Sequence, residues 1–77
     1  MARPSIGGDV FMAIAEPRRR ELLGVIARAG DEGAPVNDLV AALDLPQPTV
    51  SKHLAVLRAV GVVAVARRGR ERVYRLR

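Results

Sequence analysis

The stretch "QPTVSKHLAVLRAVG", Gln47 to Gly61, gathers the residue types with the greatest chemical reach in this sequence. Ser51, Lys52 and His53 stand side by side there, a hydroxyl, a cation and an imidazole. On a helix, successive residues diverge by about 100°. Nothing nearby supplies an oxyanion site, so the triplet does not form a catalytic set. His53 is the only histidine and the chain has no cysteine, which leaves a tetrahedral zinc site short of ligands. No metal or cofactor is implied.

The same spacing suits the reading of base edges. Val50, Leu54 and Leu57 fall within about 60° of one another, while Pro48, Lys52, Ala55 and Ala59 lie opposite and Thr49 and Ser51 flank that outer face. A major groove about 12 Å wide admits a helix only if its outward residues are small, a condition met by Pro48, Thr49, Ser51 and Ala55. Gln47 can bond adenine with both ends of its amide, Lys52 can reach guanine or phosphate, and Thr49 can touch a thymine methyl or a phosphate. His53 lies beside the inward stripe and is expected to be a partly buried helper donating to a DNA phosphate or a local carbonyl.

Charge supports a polyanionic partner. Met1 to Asp44 carries 5 basic and 7 acidic side chains, whereas Leu45 to Arg77 carries 8 basic and 1 acidic, so the net +5 of the chain arises in its second half. Arg67, Arg68, Arg70 and Arg72 cluster around "RGRE", a Gly-bearing turn between the strand-like runs "VVAVAR" and "RVYRLR". Such a hairpin can follow the phosphate backbone or place arginine in the minor groove. The plainer alternative is an ordinary surface helix with a solvated hairpin.

Four helices must position these groups. Residues 1–8 are expected to be a mobile lead, and residues 9–77 one domain. Asp9 is expected to cap a first helix through Val10, Phe11, Ile14 and Ala15 that ends before Pro17. Pro17 suits the first turn of "PRRRELLGVIARAG", whose inward stripe is Leu22, Leu23 and Ile26 and whose stop is Gly30. Arg18, Arg19 and Arg20 are expected on a solvated face with Glu16 and Glu21. Asn37 can cap a third helix through Leu39, Val40 and Leu43, with Asp38 near its positive end, and "DLPQP" then leads into Gln47 to Val60. Gly61 ends that helix, and Tyr74 and Leu76 share the strand face expected to lie on the helices. The fold class is mainly α with a small β-hairpin, a winged helix-turn-helix.

With 77 residues and only Phe11 and Tyr74 as aromatics, the core must be aliphatic and has no room for an enzyme-sized cleft. "MARPSIGGDV" lacks the apolar run of a signal peptide, and a cytoplasmic location is expected. Val10, Phe11 and Ile14, with Ile6 and Met12 added, offer more apolar surface than a small monomer easily covers, and are the expected homodimer interface.

"AEPRRRELL", "VNDLVAALDLPQPTVSKHLAVLRAVGVV" and "RRGRERVYRL" resemble, in order and spacing, the ArsR-type winged-helix bacterial transcriptional regulators. The resemblance spans about residues 9 to 76. It implies a homodimer that binds a pseudo-palindromic operator in double-stranded DNA and represses transcription, with Gln47 to Val60 as recognition helix and a wing near Arg67 to Arg72. "S-x-H-L", common in that family, matches Ser51 to Leu54 and implies a DNA-side role for His53. Three departures stand out: Pro46 replaces the usual capping serine, "PVNDL" has Pro35 and Asn37 where metal sensors carry a cysteine pair, and the sequence ends at Arg77, ahead of the C-terminal helix that members usually add. A winged helix used for protein contact, or a nonspecific DNA packer, are the competing functions.

Overall fold

The computed structural model describes the backbone of residues 6–77 and the side chains from Asp9 onward. The chain runs α1 (Ile6–Ala15), α2 (Pro17–Ala29), a single 3-10 turn (Gly30–Glu32), β1 (Ala34–Pro35), α3 (Val36–Leu43), α4 (Gln47–Ala59), β2 (Val63–Arg68) and β3 (Glu71–Leu76).

Local chemistry accounts for most of the boundaries. Pro17 disfavours helical geometry at Glu16, which ends α1, and Pro17 itself opens α2, where no amide hydrogen is needed. Glu16 caps α2 by accepting from the amides of Arg18 and Arg19 at 2.6 and 3.1 Å. Asp9 is not the cap expected of it: α1 begins at Ile6, so Asp9 lies in the helical first turn, where its charge still suits the positive helix end. Residues 6–8 of the expected lead form the start of α1, and residues 1–5 lie outside the described residues. Asn37 is likewise not a cap. Pro35, preset to φ −64° and ψ 151°, precedes α3, and Asn37 sits exposed within the first turn.

Asp44 ends α3 in the left-handed region at φ 54°, returning its amide to the Val40 carbonyl at 2.9 Å. Pro46 offers α4 no side-chain cap, so the Thr49 and Val50 amides bond its carbonyl instead, at 3.0 and 3.1 Å. Gly61, at φ 85°, turns the chain out of α4 and into β2.

The core forms where these elements converge. Leu22 and Ile26 of α2, Leu39 of α3, Val50, Leu54 and Leu57 of α4 and Val63 of β2 are fully enclosed, and Leu23 is half-buried. Each such side chain contributes about 1.5–3 kcal/mol on burial. Among the described side chains of α1, Ala13 is the one that is buried.

The sheet has the antiparallel order β1-β3-β2, one strand more than the hairpin read from sequence. β1 pairs Ala34 with Tyr74 and Pro35 with Val73. Tyr74 is buried as expected, but Leu76, at the end of β3, is 46% exposed instead of lying on the helices. Val73 on the opposite face of β3 is buried in its place. It packs over Gly33, where a Cβ would lie 2.5 Å from Cγ1 of Val73 and 2.9 Å from the Tyr74 carbonyl oxygen.

Candidate nucleic-acid interface

A groove of about 820 Å³ runs between the start of α3, one side of α4 and the hairpin. From α4 it receives Gln47, Ser51, Ala55 and Arg58, spaced four, four and three residues apart and so stacked on one helical stripe. From the hairpin it receives Arg70, Glu71, Arg72 and Tyr74, and from α3 it receives Asn37. The structure therefore brings Gln47 and Ser51 together with Arg70 and Arg72. Pro48 and Lys52 are exposed on the adjoining outer face of α4, and Thr49 is half-buried at its edge.

The register of the hairpin sorts its arginines. Arg67 pairs with Arg72 on the face that also carries Tyr74, while Arg68 pairs with Glu71 on the face of Val73. Arg67 is exposed, and Arg68 donates to the Glu32 carbonyl at 3.0 Å, tying the hairpin to the turn after α2. Gly69 takes φ 63° at the first central position of the two-residue tip, the sign a type II′ turn requires there. Arg70, the second tip residue, is exposed.

Three groove residues escaped the sequence reading. Arg58 continues the stripe of Gln47 and Ser51, and its spacing was the available signal. Asn37 was assigned to capping, and Glu71, the one carboxylate of the groove, was absorbed into the turn.

His53 lies on the other flank of α4, half-buried, with Nδ1 3.3 Å from Nη1 of Arg19. The arginines of α2 do not form the single solvated face expected of them. Arg18 pairs with Glu21 at 3.0 Å in the open, but Arg19 donates through Nε to the Ala13 carbonyl at 2.6 Å. Arg20 donates to the carbonyls of Ile14 and Ala15, each at 2.9 Å. These guanidinium groups satisfy carbonyls that the end of α1 leaves unpaired. At the same junction, partial burial opposes ionisation of Glu16. The amides of Arg19 and Arg18, with the Arg19 guanidinium charge, outweigh it and hold the carboxyl below its ordinary value.

The first helix buries little and exposes much. Phe11 and Met12 are 71% and 72% exposed, and Val10 and Ile14 are half-buried. Among the described residues no three His, Cys, Asp or Glu side chains are grouped to hold a metal, and no helix is long and apolar enough to cross a membrane. Pro35 and Asn37, one paired in β1 and one on α3, offer no thiolate for an arsenic-type site.

The succession α3, tight turn, α4 and basic hairpin, with a groove between reading helix and hairpin, defines a winged helix-turn-helix domain. A family model described as a helix-turn-helix domain matches residues 14–66. The chain belongs to the ArsR-type family of winged helix-turn-helix transcriptional regulators. It is 42% identical over 69 residues to the HTH-type transcriptional repressor SmtB of Mycobacterium tuberculosis, covering 90% of this chain and 49% of that one. Against the transcriptional repressor SdpR of Bacillus subtilis it is 32% identical over 68 residues, 88% of this chain and 72% of the relative.

Among solved structures, the homodimeric winged helix-turn-helix DNA-binding domain of Mb0332 from Mycobacterium bovis, a possible ArsR-family regulator, superposes with TM-score 0.84 at 27% identity. The match covers 99% of this chain and 75% of that one. A crystal structure of an ArsR family transcriptional regulator gives TM-score 0.82 at 32% identity, over 100% and 77% of the two chains. The chain spans about half the length of the first curated relatives it matches.

Proposed function

We propose that this domain binds double-stranded DNA sequence-selectively, as a homodimer on a pseudo-palindromic operator, and represses transcription. In this reading the N-terminal part of α4 enters the major groove with Gln47, Pro48, Thr49, Ser51 and Lys52 toward the bases and adjoining phosphates. Arg67, Arg70 and Arg72 of the hairpin follow the backbone or minor groove, Arg68 holds the hairpin in place, and His53 supports α4 from its inner flank. The observation that carries the reading is one groove in which Gln47, Ser51 and Arg58 of α4 meet Arg70 and Arg72 of the hairpin.

The relatives' names as repressors and the homodimeric state of the Mycobacterium bovis domain support it. The protein acts in the cytoplasm, where its DNA is, and not as an enzyme: Ser51 and His53 fall on different sides of α4. Without thiols it responds to no arsenite-type effector through this domain.

Selection of bound duplexes from a randomised library, followed by titration against salt, tests this. The expected result is an enriched motif with dyad symmetry and a log-log salt slope of roughly three to four per protomer, from Lys52, Arg67, Arg70 and Arg72 on phosphates. Equal affinity for every duplex would favour the DNA packer. A flat salt dependence, or no binding at low salt, would favour the protein-contact module.

A further inference from the structure

A guanidinium carries five N–H donors and no acceptor. The 3.3 Å contact between Arg19 Nη1 and His53 Nδ1 is therefore a hydrogen bond only while Nδ1 offers its lone pair, which places the ring proton on Nε2. The same guanidinium donates through Nε to the Ala13 carbonyl at 2.6 Å. Ala13 is the point at which α1 enters the core, 2% exposed. The root of Arg19 is fixed as well, since its amide donates to Glu16 Oε1 at 3.1 Å. One half-buried side chain from α2 thus joins α1 to α4.

The joint meets α4 on the flank away from the groove, one turn beyond Thr49. Val50, Leu54 and Leu57 fix which face of α4 turns inward, and a brace at that position restrains the remaining rotation of α4 about its own axis. Two-point contact with a base edge tolerates only about 0.5 Å and 10–20° of misplacement, so loss of the brace falls on discrimination between sequences first. Attraction to phosphates, which is longer in range and tolerant of small rotations, is affected less.

We propose that Arg19 is a positioning residue for DNA recognition, holding α4 against α1 through the neutral imidazole of His53, and that protonation of His53 releases this brace and lowers sequence discrimination. The proposal rests on the reading of α4 as the base-contacting helix. Three charged groups bear on the imidazole: Arg19 from α2, Glu16 at the α1–α2 junction and Lys52 on its own helix. Asp9, the one charged residue of α1, is exposed in the first turn, at the far end from Ala13. A proton on Nδ1 removes the acceptor and sets two cations against each other.

The test uses a duplex selected by the protein at about pH 7.5 and a scrambled duplex of the same composition. The ratio of their affinities is followed down to about pH 5.5. Taking the ratio cancels the general gain in phosphate attraction as the protein becomes more positive. For the unmodified protein the ratio is expected to fall about tenfold, the scale of one hydrogen bond to a charged group.

Arg19→Gln is expected to start at the low ratio and stay flat. His53→Asn, whose amide oxygen stands near the position of Nδ1 but does not titrate, is expected to lose the pH dependence. Arg20→Gln, which gives up only the carbonyls of Ile14 and Ala15, is expected to melt earlier and keep the unmodified profile. An Arg19→Gln protein that weakens both duplexes equally with the pH profile intact would make Arg19 merely structural and overturn the proposal. If that variant fails to fold by circular dichroism, His53→Asn decides alone, and an unchanged fall in its ratio overturns the proposal. An unmodified protein that prefers no duplex at about pH 7.5 would instead remove the DNA reading on which it rests.

Discussion

Gln47 and Arg70 line the same groove from different elements, and their chemistries differ in what they can report to DNA. An amide offers a donor and an acceptor in fixed relation and matches one base edge, whereas an exposed guanidinium on a hairpin tip meets a phosphate in any sequence. Gln47→Ala is accordingly expected to weaken a selected duplex by about 1–3 kcal/mol and leave a scrambled one nearly unaffected. Arg70→Ala should weaken both alike and reduce the salt slope by about one. Parallel titrations of both variants on both duplexes check this, and a Gln47→Ala protein unchanged on the selected duplex would place the reading face elsewhere. The role open to Gln47 was legible because helical spacing alone sets it at the start of α4. That of Arg19 was not, since its partner His53 lies 34 residues away and no local pattern encodes the meeting.

At the scale of elements, the boundaries set by proline and glycine were readable, and the ones set by tertiary pairing were not. Pro17, Gly30 and Gly61 act through their own backbone geometry, so α2 and the end of α4 follow from sequence. β1 is two residues long, too short to show any alternation, and exists because Ala34 and Pro35 find the free edge of β3. That contact makes the hairpin part of the helical body instead of a loose appendage.

Gly33 is its hinge pin: at φ 77° and with Val73 and the Tyr74 carbonyl against it, it has neither the backbone freedom nor the room for a side chain. Gly33→Ala is therefore expected to destabilise the fold by at least about 1–3 kcal/mol, from left-handed strain and the displaced Val73. Urea unfolding measures it. A Gly33→Ala protein as stable as the original would mean that β1 and β3 separate at little cost and that the hairpin is not held by this packing.

For the whole molecule, the distribution of apolar surface argues for association. Among its described side chains α1 places only the small Ala13 fully in the core and turns Phe11 and Met12 outward, while the aliphatic side chains of α2, α3 and α4 satisfy one another inside. Burying a side chain such as Phe11 is worth about 1.5–3 kcal/mol, a substantial fraction of the roughly 3–5 kcal/mol that a core of this size supplies. A second copy placed against α1 would cover Phe11, Met12, Val10 and Ile14 on both partners by a single two-fold operation. Two α4 helices related by such a dyad would read two half-sites, which in helix-turn-helix dimers lie about 34–36 Å or a multiple of that apart, supplying the selectivity that one helix with a few base contacts lacks.

Arg19 and Arg20 fasten the end of α1 to α2, so this exposed face is held at a fixed angle to the reading helix. A homodimer is the expected species in sedimentation at rising concentration, with two protomers per selected duplex. Phe11→Ala should shift the equilibrium toward monomer and weaken binding to the selected duplex, while altering the urea stability of the dilute monomer little, because a side chain 71% exposed leaves little cavity behind. A protein that stays monomeric at every concentration and binds one to one on an asymmetric site would remove the dimer. A Phe11→Ala variant that only melts earlier, with its stoichiometry unchanged, would place Phe11 in the stability of the monomer instead.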